Sequence, residues 1–330
     1  MRRFLKYFLI GFISFLWLLI LVGIIFSINY YRQFSVFAGI GYSEIKDYFH
    51  SAQLDSFEEF NFLILGLDQR DTSNGLLTDT IMVGFWQPQK NQSIFISLPR
   101  DLWLDHLKTK INALYYYGQE QDFVYKTGLI SSELETILGV QIEHHLVVDF
   151  EGIAEIVDIL SGVEIDVEWA FDDYHFPKED GSGGVTHLRF EAGSQIMDGQ
   201  RVLEYVRSRK SDDLQEGTDG ARIKRQQIAF LAIIDKLSDP RFLLTNPKVL
   251  GSLYRYWQEN IETDLPVSLL LNAGVSFFRQ EMTLEFLSLP EEYLVNPSLK
   301  KYGLWVWEPK DNSGREIREW VKDVVSGREY

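Results

Sequence analysis

The chain has 330 residues, 45% hydrophobic and 24% charged, with 32 Lys/Arg against 48 Asp/Glu for a formal net charge of −16. That composition excludes a disordered chain, and the acidic balance excludes general nucleic-acid binding, which needs a basic face. Cysteine is absent, which excludes disulfides, thiolate catalysis and cysteine–zinc sites and leaves any folded domain to be held by its core alone.

The run from Phe8 to Ile28, FLIGFISFLWLLILVGIIFSI, has no charged residue. A bilayer's hydrocarbon core takes about 20 such residues as a helix, whereas a buried core helix of that length would show a polar stripe. Arg2, Arg3 and Lys6 precede the run and only Arg32 follows closely. The positive-inside bias therefore places residues 1–7 in the cytoplasm, residues 8–28 across the cell membrane as a single pass, and the rest of the chain outside. A cleaved signal peptide is the competing reading, but its apolar region would be about 7–15 residues and end at a small-residue site. Tyr30 and Tyr31 fit an interfacial aromatic belt.

Residues 29–59 read as a linker or stalk. From Phe60 the pattern changes: FNFLILGL reads as a buried strand, and TIMVGFW and SIFISL read as strands joined by a hairpin through QPQKNQ. KINALYYYG continues into helical spacing, and Asp122 to Leu138 form an amphipathic helix stopped by Gly139. HHLVVDF, EGIAEIVDILSG and VEIDVEW follow as strand, helix and strand. That order indicates an α/β fold with a central mixed sheet covered by helices, preceded by the one transmembrane helix. DDYHFPKEDGSGGVTHLRF reads as a surface hairpin or loop. Helices are expected around Gly199 to Tyr205 and Asp219 to Leu237, joined by a polar loop. Beyond Pro240 come two further helices, a strand in MTLEFLSLP, a tryptophan-rich strand in LWVWEP and a helix from Ser313 to Val325. No clear linker follows residue 60, so residues 60–330 read as one domain.

Three constellations carry chemistry. In GLDQR…LTDT, Asp68 and Asp79 flank a loop at strand ends, where α/β ligand sites gather. Two carboxylates brought together repel unless a cation or proton lies between them, and magnesium is the natural cation because it takes one or two carboxylates and completes its shell with water and phosphate oxygens. The alternative is a pair of turn-capping aspartates. In SLPRD, Pro99 stops a strand and leaves Arg100 at its exit; a surface salt bridge is the alternative. Lys110 opens the next helix. The third stretch, Arg201 to Arg225, holds seven Lys/Arg against five Asp/Glu, a local balance of +2 in an acidic chain. Arg207 and Arg209 would share a face if extended, while Arg222, Arg225 and Gln226 project together from a helix at i, i+3 and i+4. Arginine forks two hydrogen bonds onto phosphate oxygens; a salt-bridged helical face is the alternative. Together, the three would form a compact site for a magnesium-bound diphosphate.

The order NFLILGLDQR, LTDTIMV, SLPRD, KINALYYYG, LSGVEIDV, MDGQRVLEYVRSR and DGARIKRQQ resembles the LytR–CpsA–Psr family over about residues 60 to 290. The resemblance implies an outer α/β domain that holds a polyprenyl-pyrophosphate lipid in an apolar groove, and a phosphotransferase that moves lipid-linked cell-wall glycopolymer to peptidoglycan. Carried over, Asp68 and Asp79 resemble magnesium-associated carboxylates. Arg70, Arg100, Arg207, Arg209, Arg222 and Gln226 resemble the pyrophosphate-binding set, and Lys110 and Asp219 fall on motif positions. Where the family commonly has arginine two residues before the second aspartate, this chain has Leu77, the loss of one phosphate ligand. The stretch between SLPRD and KINAL is also short.

On this reading Asp68, Asp79, Arg100 and Asp219 form the catalytic group. An acceptor hydroxyl, deprotonated by Asp68, Asp79 or Asp219, attacks the sugar-linked phosphorus and polyprenyl phosphate leaves. The alternatives are a non-catalytic polyprenyl-pyrophosphate-binding or regulatory protein, and a lipid pyrophosphatase in which water replaces the acceptor.

Overall fold

A computed structural model describes residues 2–41, 59–68, 77–120, 126–178, 184–211, 216–265, 282–311 and 313–328, with side chains from residue 18 onward except at 68, 120, 219, 240 and 243. Helix α1, Arg2–Ala38, is continuous through the apolar run and on past Ile28. Leu18–Ala38 is long and apolar enough to cross a membrane, and of its residues only Ala38, at its outer end, is buried. The start of the expected stalk is thus helical; residues 42–58 lie outside the described residues.

Strands β1 (Phe60–Asp68), β2 (Leu77–Gln87) and β3 (Gln92–Ser97) form an antiparallel meander, β2 and β3 joined by a tight turn at Pro88–Lys90. A small hairpin follows, β4 (Trp103–Leu104) with β5 (Thr109–Lys110), then helices α2 (Leu114–Glu120) and α3 (Gly128–Leu138). Gly139, at φ 72°, ends α3 as expected, its N–H donating to Glu135 O at 2.9 Å. Strand β6 (His144–Asp149) leads into α4 (Phe150–Ile159), then β7 (Val163–Val167), the hairpin β8 (Phe171–Pro177) and β9 (Val185–Phe190), and β10 (Gly193–Met197). Helices α5 (Gly199–Arg207), α6 (Asp219–Ser238), α7 (Pro240–Thr245) and α8 (Pro247–Asn260) precede β11 (Glu262–Thr263) and β12 (Thr283–Ser288). The chain then passes through β13 (Leu294–Val295), α9 (Leu299–Tyr302) and β14 (Glu308–Pro309) to α10 (Arg315–Ser326).

The central sheet has the order β11-β6-β1-β2-β3-β12. Because β6 is parallel to β1 and β12 to β3, the strands β6, β1, β3 and β12 point the same way, and β2 and β11 oppose them. FNFLILGL is apolar on both faces because both faces are covered. Leu63, Leu65, Ile81, Val83, Ile94 and Ile96 pack under α3 and α10, while Ile64, Met82 and Phe95 face the other way with half-buried Phe62, Leu146, Phe230, Leu284 and Phe286.

A second core lies between α4, α5 and the strands β7 to β10. Here one expectation is corrected. The strand–helix–strand order of β6, α4 and β7 does not build one sheet, since β7 pairs antiparallel with β10. VEIDV alternates buried and exposed residues, and a strand with one wet face cannot sit inside a sheet covered on both sides. The tryptophan-rich strand is also shorter than expected: only Glu308–Pro309 pairs, with Leu294–Val295, and Trp307 makes one bridge to Leu102. Pro309 has no N–H to extend the ladder.

Candidate active site

The carboxyl ends of β6, β1 and β3 and the start of β2 share one end of the sheet, as the register Asp68↔Leu77 and Met82↔Ser97 requires. This is where open α/β sheets place their ligands. Asp79 stands there, 8% exposed.

Three guanidiniums reach it. Arg100, at the exit of β3, binds Oδ1 through Nη1, and Arg209, in the loop after α5, binds Oδ2 through Nη2. Arg222, on the first turn of α6, is 1% exposed and places Nη1 3.4 Å from the Asp79 backbone O and 4.0 Å from Oδ2. Burial pushes the Asp79 carboxyl up, but the charges of Arg209, Arg100 and Arg222 and the Arg100 hydrogen bond outweigh it and hold the group below the usual carboxylate range. Behind Arg100, Asp101 approaches its Nε at 3.7 Å and accepts from Lys110 Nζ at 2.5 Å. Among the described residues four cations therefore meet two carboxylates in this cluster, a local surplus of positive charge suited to an anion.

Four of the expected residues converge as read: Asp79, Arg100, Arg209 and Arg222. Gln226 joins them, its Oε1 accepting from Thr80 Oγ1 at 3.1 Å and its buried Nε2 lacking a partner among the described residues. Lys110 belongs one carboxylate further out, on Asp101.

Arg207 and Arg209 do not share an extended face. Arg207 is the last residue of α5 and donates to Glu151 Oε1 at 2.6 Å, with its guanidinium 5.0 Å from the Phe150 ring centre. Arg225 likewise leaves the Arg222–Gln226 face. It is 2% exposed and donates to Tyr205 O at 3.0 Å, to Ser208 O at 2.5 Å and to Glu216 Oε2 at 2.7 Å, so it braces the loop that carries Arg209. Helical spacing aligned the three residues, but i+3 and i+4 sit on opposite flanks of i, and the loop captured one flank.

The backbone of Asp68 ends β1 opposite Leu77, and Asp219 opens α6 after the cap Thr218, whose Oγ1 accepts from Ala221 N at 3.1 Å. The side chains of Asp68 and Asp219, and all of Arg70, lie outside the described residues.

Two residues escaped the sequence reading. Asp101 adjoins Arg100 inside a motif already quoted, and adjacency was its only signal. Asp173 lies on β8, 1% exposed, in a stretch read as surface hairpin. Its Oδ2 accepts from Ser208 Oγ at 2.7 Å and from the Arg209 and Lys210 N–H groups at 3.2 Å, and its Oδ1 from His175 N at 2.9 Å. Burial pushes this carboxyl up, and the hydrogen bonds of Ser208, His175, Lys210 and Arg209 more than offset it, so it too stays below the usual range. Asp173 holds the backbone from which Arg209 projects.

The polar cluster runs into an apolar face of the sheet, where Ile64, Met82 and Phe95 are buried beside half-buried Phe62, Phe230 and Phe286. Arg222, Gln226 and Phe230 are spaced i, i+4 and i+8 on α6, one face of a helix. Phe230 packs 5.6 Å from Phe95, which stacks on Phe286 at 4.7 Å. Gly84 keeps this face shallow, since a Cβ there would lie 2.5 Å from the Phe62 ring.

Among characterised proteins, the chain is 26% identical over 216 residues to the polyisoprenyl-teichoic acid–peptidoglycan teichoic acid transferase TagV of Bacillus subtilis, covering 63% of this chain and 50% of that protein. It is 28% identical over 221 residues to the Bacillus mycoides TagU of the same description, covering 65% and 63%. The chain thus spans about half to under two thirds of the length of these relatives. Its fold matches the crystal structure of B. subtilis TagV with a TM-score of 0.59 at 21% identity over 83% of this chain and 100% of that one. It also matches a structure of TagT bound to LI-WTA, with a TM-score of 0.54 at 18% identity over 84% and 96%. The LytR–CpsA–Psr family model matches residues 41–323, from just past α1 through most of α10, and the chain belongs to that family.

Proposed function

We propose that this chain is a membrane-anchored phosphotransferase that moves a glycopolymer from a polyprenyl-pyrophosphate carrier to peptidoglycan. In this reading α1 is a single-pass anchor with residues 1–7 cytoplasmic, and residues 60–330 are the extracytoplasmic catalytic domain. The observation that carries it is the convergence of Arg100, Arg209 and Arg222 on Asp79, beside an apolar face continuous with Gln226 and Phe230. A pyrophosphate lipid needs such a neighbour pair, cations for its head and hydrocarbon-compatible surface for its chain.

The Asp79 carboxylate occupies the place that a phosphate would take between the guanidiniums. Both its oxygens accept from guanidiniums, so a pyrophosphate takes over Arg100 and Arg209 and frees Asp79. Asp79 and Asp68 would hold a magnesium ion through their carboxylate oxygens, the hard donors that ion takes, and the rest of its shell would come from water and phosphate oxygens rather than from further side chains. When bound, the ion supplies charge neutralisation on the diphosphate.

The protein residues then divide the work. Arg100, Arg209 and Arg222 bear the charge that develops on departing polyprenyl phosphate. An acceptor hydroxyl forms a new O–P bond at the sugar-linked phosphorus, the bridging P–O bond breaks with its electrons on polyprenyl phosphate, and the hydroxyl proton passes to a carboxylate. The carboxylates in reach of that proton are those of the catalytic group, Asp68, Asp79 and Asp219, and transfer assays on single Asp→Asn variants discriminate among them. Leu77 starts β2 at the rim of this site, where a missing arginine lowers the charge without dismantling the cluster.

The test is release of polyprenyl phosphate from a labelled lipid-linked donor, with and without glycan acceptor. Acceptor-dependent release that Asp79→Ala and Arg209→Ala abolish supports the reading. Acceptor-independent release identifies a pyrophosphatase, binding without release a regulatory binder, and full turnover by both variants refutes the site.

A further inference from the structure

The outer end of α1 is clamped by α8. At Gly251 a Cβ would lie 2.5 Å from the Phe34 carbonyl oxygen and 2.9 Å from the Ala38 nitrogen, so the two helix backbones touch there. Arg255 Nη2 donates to Val36 O at 2.9 Å, satisfying a carbonyl that the end of a helix leaves open. The Tyr254 ring lies 6.2 Å from that of Phe34, and the Lys248 ammonium lies 5.6 Å over Phe37. Gly39, at φ 71°, terminates α1, with its N–H on Ser35 O at 2.9 Å.

The other end of α8 runs straight into the sheet. Only Ile261 separates Asn260 from β11, and Thr263 of β11 pairs with Leu146 of β6. Leu146 lies on the apolar face with Met82, Phe95 and Phe230. Along its length α8 also packs on α4, where Tyr256 Oη stands 2.7 Å from the position a Cβ would take on Gly152. Packed helices and a hydrogen-bonded strand pair thus connect the anchor to the surface proposed for the lipid chain.

We propose that residues 34–38 and α8 form an orienting strut, which fixes the angle and height of the guanidinium cluster and its neighbouring apolar face relative to the bilayer. The proposal rests on reading α1 as a membrane span and that face as the lipid site. Phe34 is six residues past the end of the apolar run, about 9 Å along the helix, close to the outer edge of a headgroup layer roughly 5–8 Å thick. A donor held in the bilayer presents its pyrophosphate at one height. A domain swinging on a free linker would sample many orientations, whereas the strut holds the guanidinium cluster over that plane and raises its effective concentration. Gly251 and Arg255 act as positioning residues.

The chain's lack of cysteine allows paired spin labels at Val36→Cys and Glu259→Cys, both exposed, in the full chain reconstituted into phosphatidylglycerol–phosphatidylethanolamine vesicles. A single narrow distance is expected, broadened by Gly251→Leu; a broad distribution without that substitution overturns the strut. In parallel, Gly251→Leu and Arg255→Gln should lower transfer from a long-chain, membrane-embedded donor about tenfold or more and leave transfer from a short-chain, water-soluble donor unchanged. Equal loss on both donors, or no loss on either, overturns the orienting role. An unmutated chain inactive on both donors counts against the transferase reading alone, because the label distance reads the clamp without catalysis.

Discussion

Arg209 and Asp79 lie 130 positions apart in the chain, yet the guanidinium of one grips a carboxylate oxygen of the other. The pair joins two cores. Asp79 extends from β2, which packs in the large sheet, and Arg209 follows α5, which packs with β7 to β10. The site is therefore a seam, and its integrity depends on both sides being in place.

The charge state of Asp79 makes that seam sensitive to pH. A carboxyl held below its unfolded value contributes stability that is fully present above the unfolded pKa, about 3.9, and lost as the pH falls through the lower folded value. At pH 7, Asp79→Asn should cost about 2 kcal/mol, less than the roughly 3–5 of a fully buried pair because Arg100 and Arg209 keep some solvent. Chemical denaturation of both proteins between pH 7 and 2 checks this. A stability gap that does not shrink below pH 4 contradicts it.

Asp173→Asn should loosen the loop that presents Arg209. Replacing one oxygen by an amide loses acceptors for Ser208 and for the Arg209 and Lys210 N–H groups, at about 1–3 kcal/mol. In the transfer assay, KM for the lipid-linked donor should rise about tenfold with a smaller change in kcat, the signature of a displaced ground-state contact. Unchanged KM in a correctly folded variant would show that Arg209 does not depend on this carboxylate.

Two neighbouring arginines should separate cleanly. Arg225→Lys removes a fork that spans Tyr205, Ser208 and Glu216 and should lower stability by about 2 kcal/mol. Arg222→Lys keeps a charge near Asp79 but loses the planar fork, so it should weaken pyrophosphate binding about tenfold with stability changed less. Calorimetric titration with inorganic pyrophosphate, paired with thermal melts, reads both; reversed outcomes would exchange the two roles.

Phe230→Ala opens the apolar face one turn beyond Gln226. If that face takes the lipid chain, KM for a long-chain donor should rise about tenfold, the worth of roughly 1.4 kcal/mol of lost apolar contact. A short-chain donor should be unaffected. The same KM for both donors, with and without the substitution, would move the lipid chain elsewhere.

Much of this was legible in residues. The β1–β2–β3 meander followed from apolar runs and a proline-bearing turn, and the C-terminal end of α3 followed from Gly139, although that helix starts at Gly128 and not at Asp122 as its apolar spacing suggested. Asp79, Arg100, Arg209 and Arg222 were legible because strand ends, proline stops and helix starts are local events that place a side chain without knowledge of its partner. Arg207, Arg225 and Asp173 were not. Arg207 and Arg225 share their spacing with the residues that converge on Asp79, and Asp173 sits in a stretch whose glycines marked it as a surface loop. Which neighbour claims such a side chain depends on what packs against it.

The sequence by itself therefore determined the elements, the apolar helix and a surplus of arginine near Arg201 to Arg225, because these depend on periodicity, capping and composition over a few turns. The tertiary structure alone decided that β7 leaves the central sheet, that Arg207 and Arg225 turn to Glu151 and Glu216, and that α8 holds the end of α1. Those outcomes are set by competition among long-range partners for each buried charge and each close backbone approach, and no short window of sequence contains both competitors.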